Sequence, residues 1–148
     1  MAPEAKLFLV EANSWFFEDM SKAEQAAQYL VNASGGGEIS HSWFNMSYTD
    51  SKIDAFDNIF HNTSIPVINV AASGDYGWPT YPAGSPYVIA VGGTKINRDA
   101  TDGSYLNEKA WNDTYSRMYL DPEWGTFGSG ADLNRSIPTY QKSYWARY

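Results

Sequence analysis

The sequence predicts an α/β fold with a parallel central sheet, and three observations lead there. Short apolar runs alternate with segments whose apolar residues recur every three or four positions, the order strand, helix, strand, helix, strand that right-handed crossovers build. The chain of 148 residues is 43% hydrophobic and 16% aromatic, a composition that can bury a core. Its last third is rich in Gly, Tyr, Trp and Asn and holds at most one hairpin.

Ala5 to Ala12, "AKLFLVEA", reads as a first buried strand. Asn13 and Ser14 offer cap chemistry for a helix on which Phe16, Met20, Ala23, Ala27 and Leu30 share a face, with Glu18 and Asp19 in its first turn. "SGGGE" stops that helix, and Glu38 to Trp43 is the second strand. A second helix starts near Thr49 or Asp50 and carries Ile53, Phe56 and Phe60 at helical spacing; Asp50, Asp54 and Asp57 fall near one face, read as solvated. Ile65 to Ala72 and Tyr87 to Val91 are the third and fourth strands. "DGS" at Asp102 to Ser104 marks a tight hairpin. Asn97 to Glu108 imitates a calcium loop only superficially, since Asp102 stands where that loop needs glycine.

Several function classes drop out. A net charge of -7 and a pI near 4.6, with no basic stripe, argue against nucleic acid as a partner. The absence of cysteine excludes disulfides, thiolate catalysis and cysteine-based zinc sites. No apolar run reaches membrane-span length, so no membrane partner is expected, and "MAPEAKLFLVEAN" lacks the features of a secretory signal. Five sequons, at Asn32, Asn45, Asn62, Asn112 and Asn134, admit two readings, eukaryotic secretion or an excess arising by chance in an Asn- and Ser-rich chain. A dinucleotide fold would place glycines after its first strand, and "VEANSWFF" has none. His41 and His61 share no metal-ligand spacing and read as structural. Ser73 and Ser129 have glycine neighbours without completing G-x-S-x-G.

In an open α/β sheet, ligands bind beyond the carboxyl ends of the strands. That rule selects "EANS", "HSWF" and "SGDYG" as site candidates, the last holding Asp75 between two glycines. A carboxylate there caps its own turn, ligates, or does chemistry.

"SGDYG" followed by "YPAGSPYVIAVGGT" (Tyr81 to Thr94) resembles the sedolisins, the serine-carboxyl peptidases, whose members carry Ser-Gly-Asp-x-Gly, then Pro-Ala-x-Ser-Pro-Tyr-Val and Gly-Gly-Thr. "MAPEAKLFLVEA" is similar to the family's Ala-Pro-x-Ala-Lys strand, "EISHSW" to its Ser-x-Ser-Trp-Gly strand, and "EKAWND" and "GSGADLNRSIPTYQ" to its later segments. The resemblance runs nearly the whole chain.

It implies a three-layer subtilisin-like (sedolisin) fold with a parallel central sheet, incomplete in this chain. It also implies a serine-type endopeptidase or tripeptidyl peptidase acting on peptide or protein substrates at acidic pH through an acyl-enzyme. The family uses a Ser nucleophile, a Glu base, an Asp that orients the Glu, and a second Asp in the oxyanion hole; Asp75 matches that last residue. Ser42, Trp43, Ser73 and Gly74, with Gly128, Ser129 and Gly130, would line the substrate cleft. The Glu and its partner Asp precede the Ala-Pro-x-Ala-Lys strand in the family, while the Ser turn and a calcium site come after the Pro-x-Tyr/Trp-Gln segment. Residues 1–148 are therefore expected to be a partial catalytic domain lacking its N- and C-terminal parts. Such a chain is expected to be inactive alone and prone to aggregate through exposed edges, with no cofactor of its own and calcium in the full-length domain. Its parent is expected to be secreted. Phe44 stands where the family has glycine, "GSGAD" replaces Gly-Gly-Gly-x-Ser, and Tyr76 replaces a common serine; a non-catalytic relic or peptide-binding module is the alternative.

Overall fold

The computed structural model describes residues 4–45, 48–61, 67–74 and 80–110. In chain order they form α1 (Phe17–Ala33), β1 (Gly37–His41), α2 (Asp50–His61), β2 (Val67–Ala72), β3 (Val88–Val91), β4 (Thr94–Arg98) and β5 (Tyr105–Ala110). β1, β2 and β3 make a parallel sheet in that spatial order, and β4 and β5 make a separate two-stranded sheet. The expected α/β class and parallel sheet are observed. The chain divides into two compact units, Met1–Ser40 with Ser47–Asn69, and His41–Met46 with Val70–Tyr148.

The first unit is built around the helices. Phe56 of α2 is wholly buried, its ring edge-on to Phe17 of α1 at 5.3 Å and stacked with Tyr48 at 5.5 Å and Phe60 at 6.2 Å. Lys52 sets its ammonium 5.2 Å from the Phe17 ring centre, within cation–π range. Burial, with an added push from the Glu18 carboxylate, raises the pKa of the Tyr48 hydroxyl.

Three expectations for this unit are corrected. Residues 5–12 join no ladder among the described residues, and Leu7 and Leu9 are 92% and 85% exposed. An apolar run signals affinity for burial, but a strand exists only where a neighbour exchanges backbone hydrogen bonds with it. The inward face of α1 is set by Met20, Glu24 and Gln28, while Phe16 is exposed. Tertiary partners, such as Asn69 of β2 opposite Gln28, turn a polar row inward. Asp57 is likewise buried on α2, whereas Asp50 and Asp54 face solvent as expected.

The start of α1 also differs from the simple cap. Phe16 occupies the N-cap position without a side-chain bond. Ser14 accepts from the Phe16 N–H at 3.2 Å and donates to Asp19 at 2.6 Å, and Asn13 adds a donor at 3.3 Å. Those hydroxyl and amide donors, Ser14 first, hold the Asp19 carboxyl below the usual range. At the other end, the Ser34–Gly37 turn stops the helix, with Gly35 and Gly36 in the positive-φ region that suits residues lacking Cβ.

In the second unit, β4 and β5 pair antiparallel from Thr94↔Ala110 to Arg98↔Tyr105, with an irregularity between Asn97 and Arg98. The expected Asp-Gly hairpin is present. Asp99 accepts the Thr101 N–H at 2.7 Å, Asp102 accepts the Ser104 N–H at 2.8 Å, and Gly103 takes φ 72°. Across the strands Asn97 donates to Asn107 at 2.7 Å, and Thr94 donates to Glu108.

Candidate active site

The candidate residues of the second unit lie beyond the carboxyl ends of two neighbouring parallel strands. Ser42 and Trp43 follow β1, and Ser73 and Gly74 follow β2. Ser42 is exposed and Trp43 half-buried, its ring edge-on to buried His41 at 6.3 Å. Ser73 is buried, and its N–H donates to Val91 O of β3 at 3.0 Å.

Gly74 takes φ 94°, a conformation that residues with a Cβ rarely adopt. A Cβ there would also come within 2.6 Å of Thr80 Oγ1 and 3.0 Å of its methyl carbon, so the glycine is required twice. Thr80 is buried and donates to Ser73 O at 3.4 Å, a long bond. Thr80 is itself held, because its carbonyl accepts the Gly84 N–H at 2.8 Å. The next residue, Tyr81, is buried, and its carbonyl accepts the Asn45 N–H at 3.0 Å in an isolated antiparallel bridge. The Tyr81–Pro82 peptide is cis. The dipeptide Thr80-Tyr81 thus touches both segments that carry Ser42, Trp43, Ser73 and Gly74.

Asp75 and the Gly128, Ser129 and Gly130 segment lie outside the described residues. Nothing in the sequence marks Thr80 and Tyr81 as site residues: a threonine close to a glycine turn is an ordinary pair until the backbone brings them into contact. His61 is exposed in the last turn of α2, and His41 is buried at the end of β1. Among the described residues no group of three or more His, Cys, Asp or Glu side chains could hold a metal ion. No helix among them is long and apolar enough to cross a membrane.

A parallel sheet with Ser73 and Gly74 just past the end of β2, the sequence Ser-Gly-Asp running on from there, and β3 followed by Gly-Gly-Thr make this segment similar to the sedolisins, whose fold is subtilisin-like. The chain is sedolisin-like in sequence and fold. No family model matches it. Kumamolisin from Bacillus sp. (strain MN-32) is 28% identical to it over 159 residues, covering 96% of this chain and 26% of kumamolisin. Pseudomonas sedolisin, a serine-carboxyl proteinase complexed with two molecules of pseudo-iodotyrostatin, superposes with TM-score 0.64 at 24% identity, over 91% of this chain and 40% of that one. The S41 psychrophilic protease gives TM-score 0.51 at 20% identity over 73% of this chain and 36% of that one. The chain therefore spans about a quarter of the curated relative it matches.

Proposed function

We propose that this chain is part of the catalytic domain of a secreted serine-carboxyl peptidase that hydrolyses peptide bonds at acidic pH, with Asp75 as the oxyanion-hole acid. The observation that carries this reading is the glycine-dependent Ser73–Gly74 corner at the carboxyl end of β2, from which the chain passes directly to Asp75. An oxyanion hole needs a donor aimed at charge that develops in the tetrahedral intermediate. A carboxylic acid donates only while protonated, which ties activity to low pH or to a raised pKa. Ser42, Trp43, Ser73 and Gly74, with Gly128, Ser129 and Gly130, form one part of the peptide cleft. The Ser nucleophile, the Glu base with its Asp, and the calcium site belong to other parts of the longer protein. Residues 1–148 alone do not hydrolyse peptides.

The in-frame sequence flanking this chain is the first test: a Glu/Asp pair before it and a Gly-Thr-Ser turn after it are expected. In that longer protein, Asp75→Ala should lower kcat about 10²–10³-fold, the usual effect of deleting one oxyanion donor. Asp75→Asn keeps a donor that does not titrate, so its activity should extend to higher pH than the wild type's. Unchanged kcat in Asp75→Ala across the acid range would refute the role. Phe44, half-buried where the family has glycine, favours the second reading, a peptide-binding relic. Flanking stop codons, with peptide binding but no turnover, would establish that reading instead.

A further inference from the structure

We propose that Thr80 is a positioning residue that holds the two segments of the cleft in register; this rests on the peptidase reading above. Three contacts meet at the Thr80-Tyr81 dipeptide. The Thr80 side chain sits against the bare Cα of Gly74, close enough that any Cβ would collide with it. Its hydroxyl donates to the carbonyl of Ser73, whose own N–H is tied to β3 through Val91 O at 3.0 Å. One residue on, Tyr81 O receives the Asn45 N–H, which anchors the segment leaving β1 just past Ser42 and Trp43.

Thr80 is suited to this task. It is buried and β-branched, so its χ1 is restricted and it cannot swing aside as a long side chain would. Its carbonyl is fixed by the Gly84 N–H at 2.8 Å, and Ser85 N–H donates to Pro82 O at 2.9 Å, so the brace stands on a hydrogen-bonded turn. Thr80 need not touch the substrate to act. It fixes the carbonyl and φ of the two residues that precede Asp75, and so the direction in which the chain reaches the proposed acid. Small displacements of a catalytic donor are costly, because transition-state stabilisation depends on preorganised geometry.

Thr80→Val keeps the shape and removes the hydroxyl; Thr80→Ser keeps the hydroxyl and removes the methyl. Two measurements are paired. In the 148-residue chain, amide hydrogen exchange at Ser73 and Asn45 should quicken in Thr80→Val by at most about tenfold, the upper bound set by losing one ordinary hydrogen bond where this one is long, and return toward wild type in Thr80→Ser. In the longer peptidase, Thr80→Val should lower kcat by a similar factor with KM nearly unchanged, and Thr80→Ser should restore most of it. Unchanged exchange at both amides overturns the brace, and so does a Thr80→Val effect confined to KM. If the wild-type longer protein turns over no peptide, the peptidase reading fails, and the exchange measurement still decides whether Thr80 braces the two segments.

Discussion

Gln28 of α1 donates from its side-chain amide to Asn69 Oδ1 of β2 at 2.7 Å, and both residues are buried. A hydrogen bond is directional, so this one favours the rotation of α1 that turns Met20, Glu24 and Gln28 inward. Gln28→Leu removes this donor from the buried Asn69 oxygen, and should cost about 1–3 kcal/mol. Urea unfolding with an unchanged m-value would measure it. Replacing both residues with apolar ones should cost less than the sum of the single changes.

Phe56 has no exposed surface and makes ring contacts with Phe17, Tyr48 and Phe60. Phe56→Ala should destabilise the chain by about 3–5 kcal/mol, since the three surrounding rings cannot close the cavity. Phe56→Leu should recover much of that loss. Thermal or urea melts of the two variants give the comparison directly.

Gly74→Ala adds a Cβ at φ 94° and places it 2.6 Å from Thr80 Oγ1. Backbone strain alone is worth about 1–3 kcal/mol, and the collision adds to it. In a Thr80→Ala background the collision is gone and only the strain remains. The stability cost of Gly74→Ala should therefore be smaller there, and a double-mutant cycle reads the difference as coupling between the two positions.

Asp19 titrates below the ordinary carboxylate value of 3.8 because the Ser14 hydroxyl and then the Asn13 amide donate to its ionised form. A pKa lowered by folding means the ionised form is favoured in the native state. Its contribution is complete above the unfolded value and disappears as the pH falls through the folded one. Carboxyl NMR titration should find the Asp19 midpoint below 3.8, and Ser14→Ala should move it upward. Asp99 and Asp102 are lowered in the same direction, chiefly by backbone N–H donors from Thr101 and Ser104, so they should also titrate below that value.

Much of this architecture was legible in the residues. Helical spacing located α1 and α2, and apolar runs bounded by turn residues located β1, β2 and β3 to within a few positions. The Asp-Gly pair at Asp102 and Gly103 announced the β4–β5 hairpin. For the site, the strand and turn pattern puts Ser73 and Gly74 beyond a strand end, where they are found, whereas Ser42 and Trp43, read as the last residues of the second strand, lie just past the end of β1. Local pattern could do this because helix period, turn preference and capping depend on residues within a few positions of each other.

Tertiary structure decided the rest. It turned Glu24 and Gln28 inward on α1, buried Asp57 on α2, and left Leu7 and Leu9 exposed in a run that reads as a strand. It set Thr80 against Gly74 and joined Asn45 to Tyr81, a pair thirty-six positions apart in the sequence. Which segments are helical, which are extended and where the glycine corner falls can be read from the residues because those are properties of short stretches. Which face is buried, whether an extended run finds a ladder, and what braces the corner are relations between distant residues, and only the folded chain brings those residues within reach of one another.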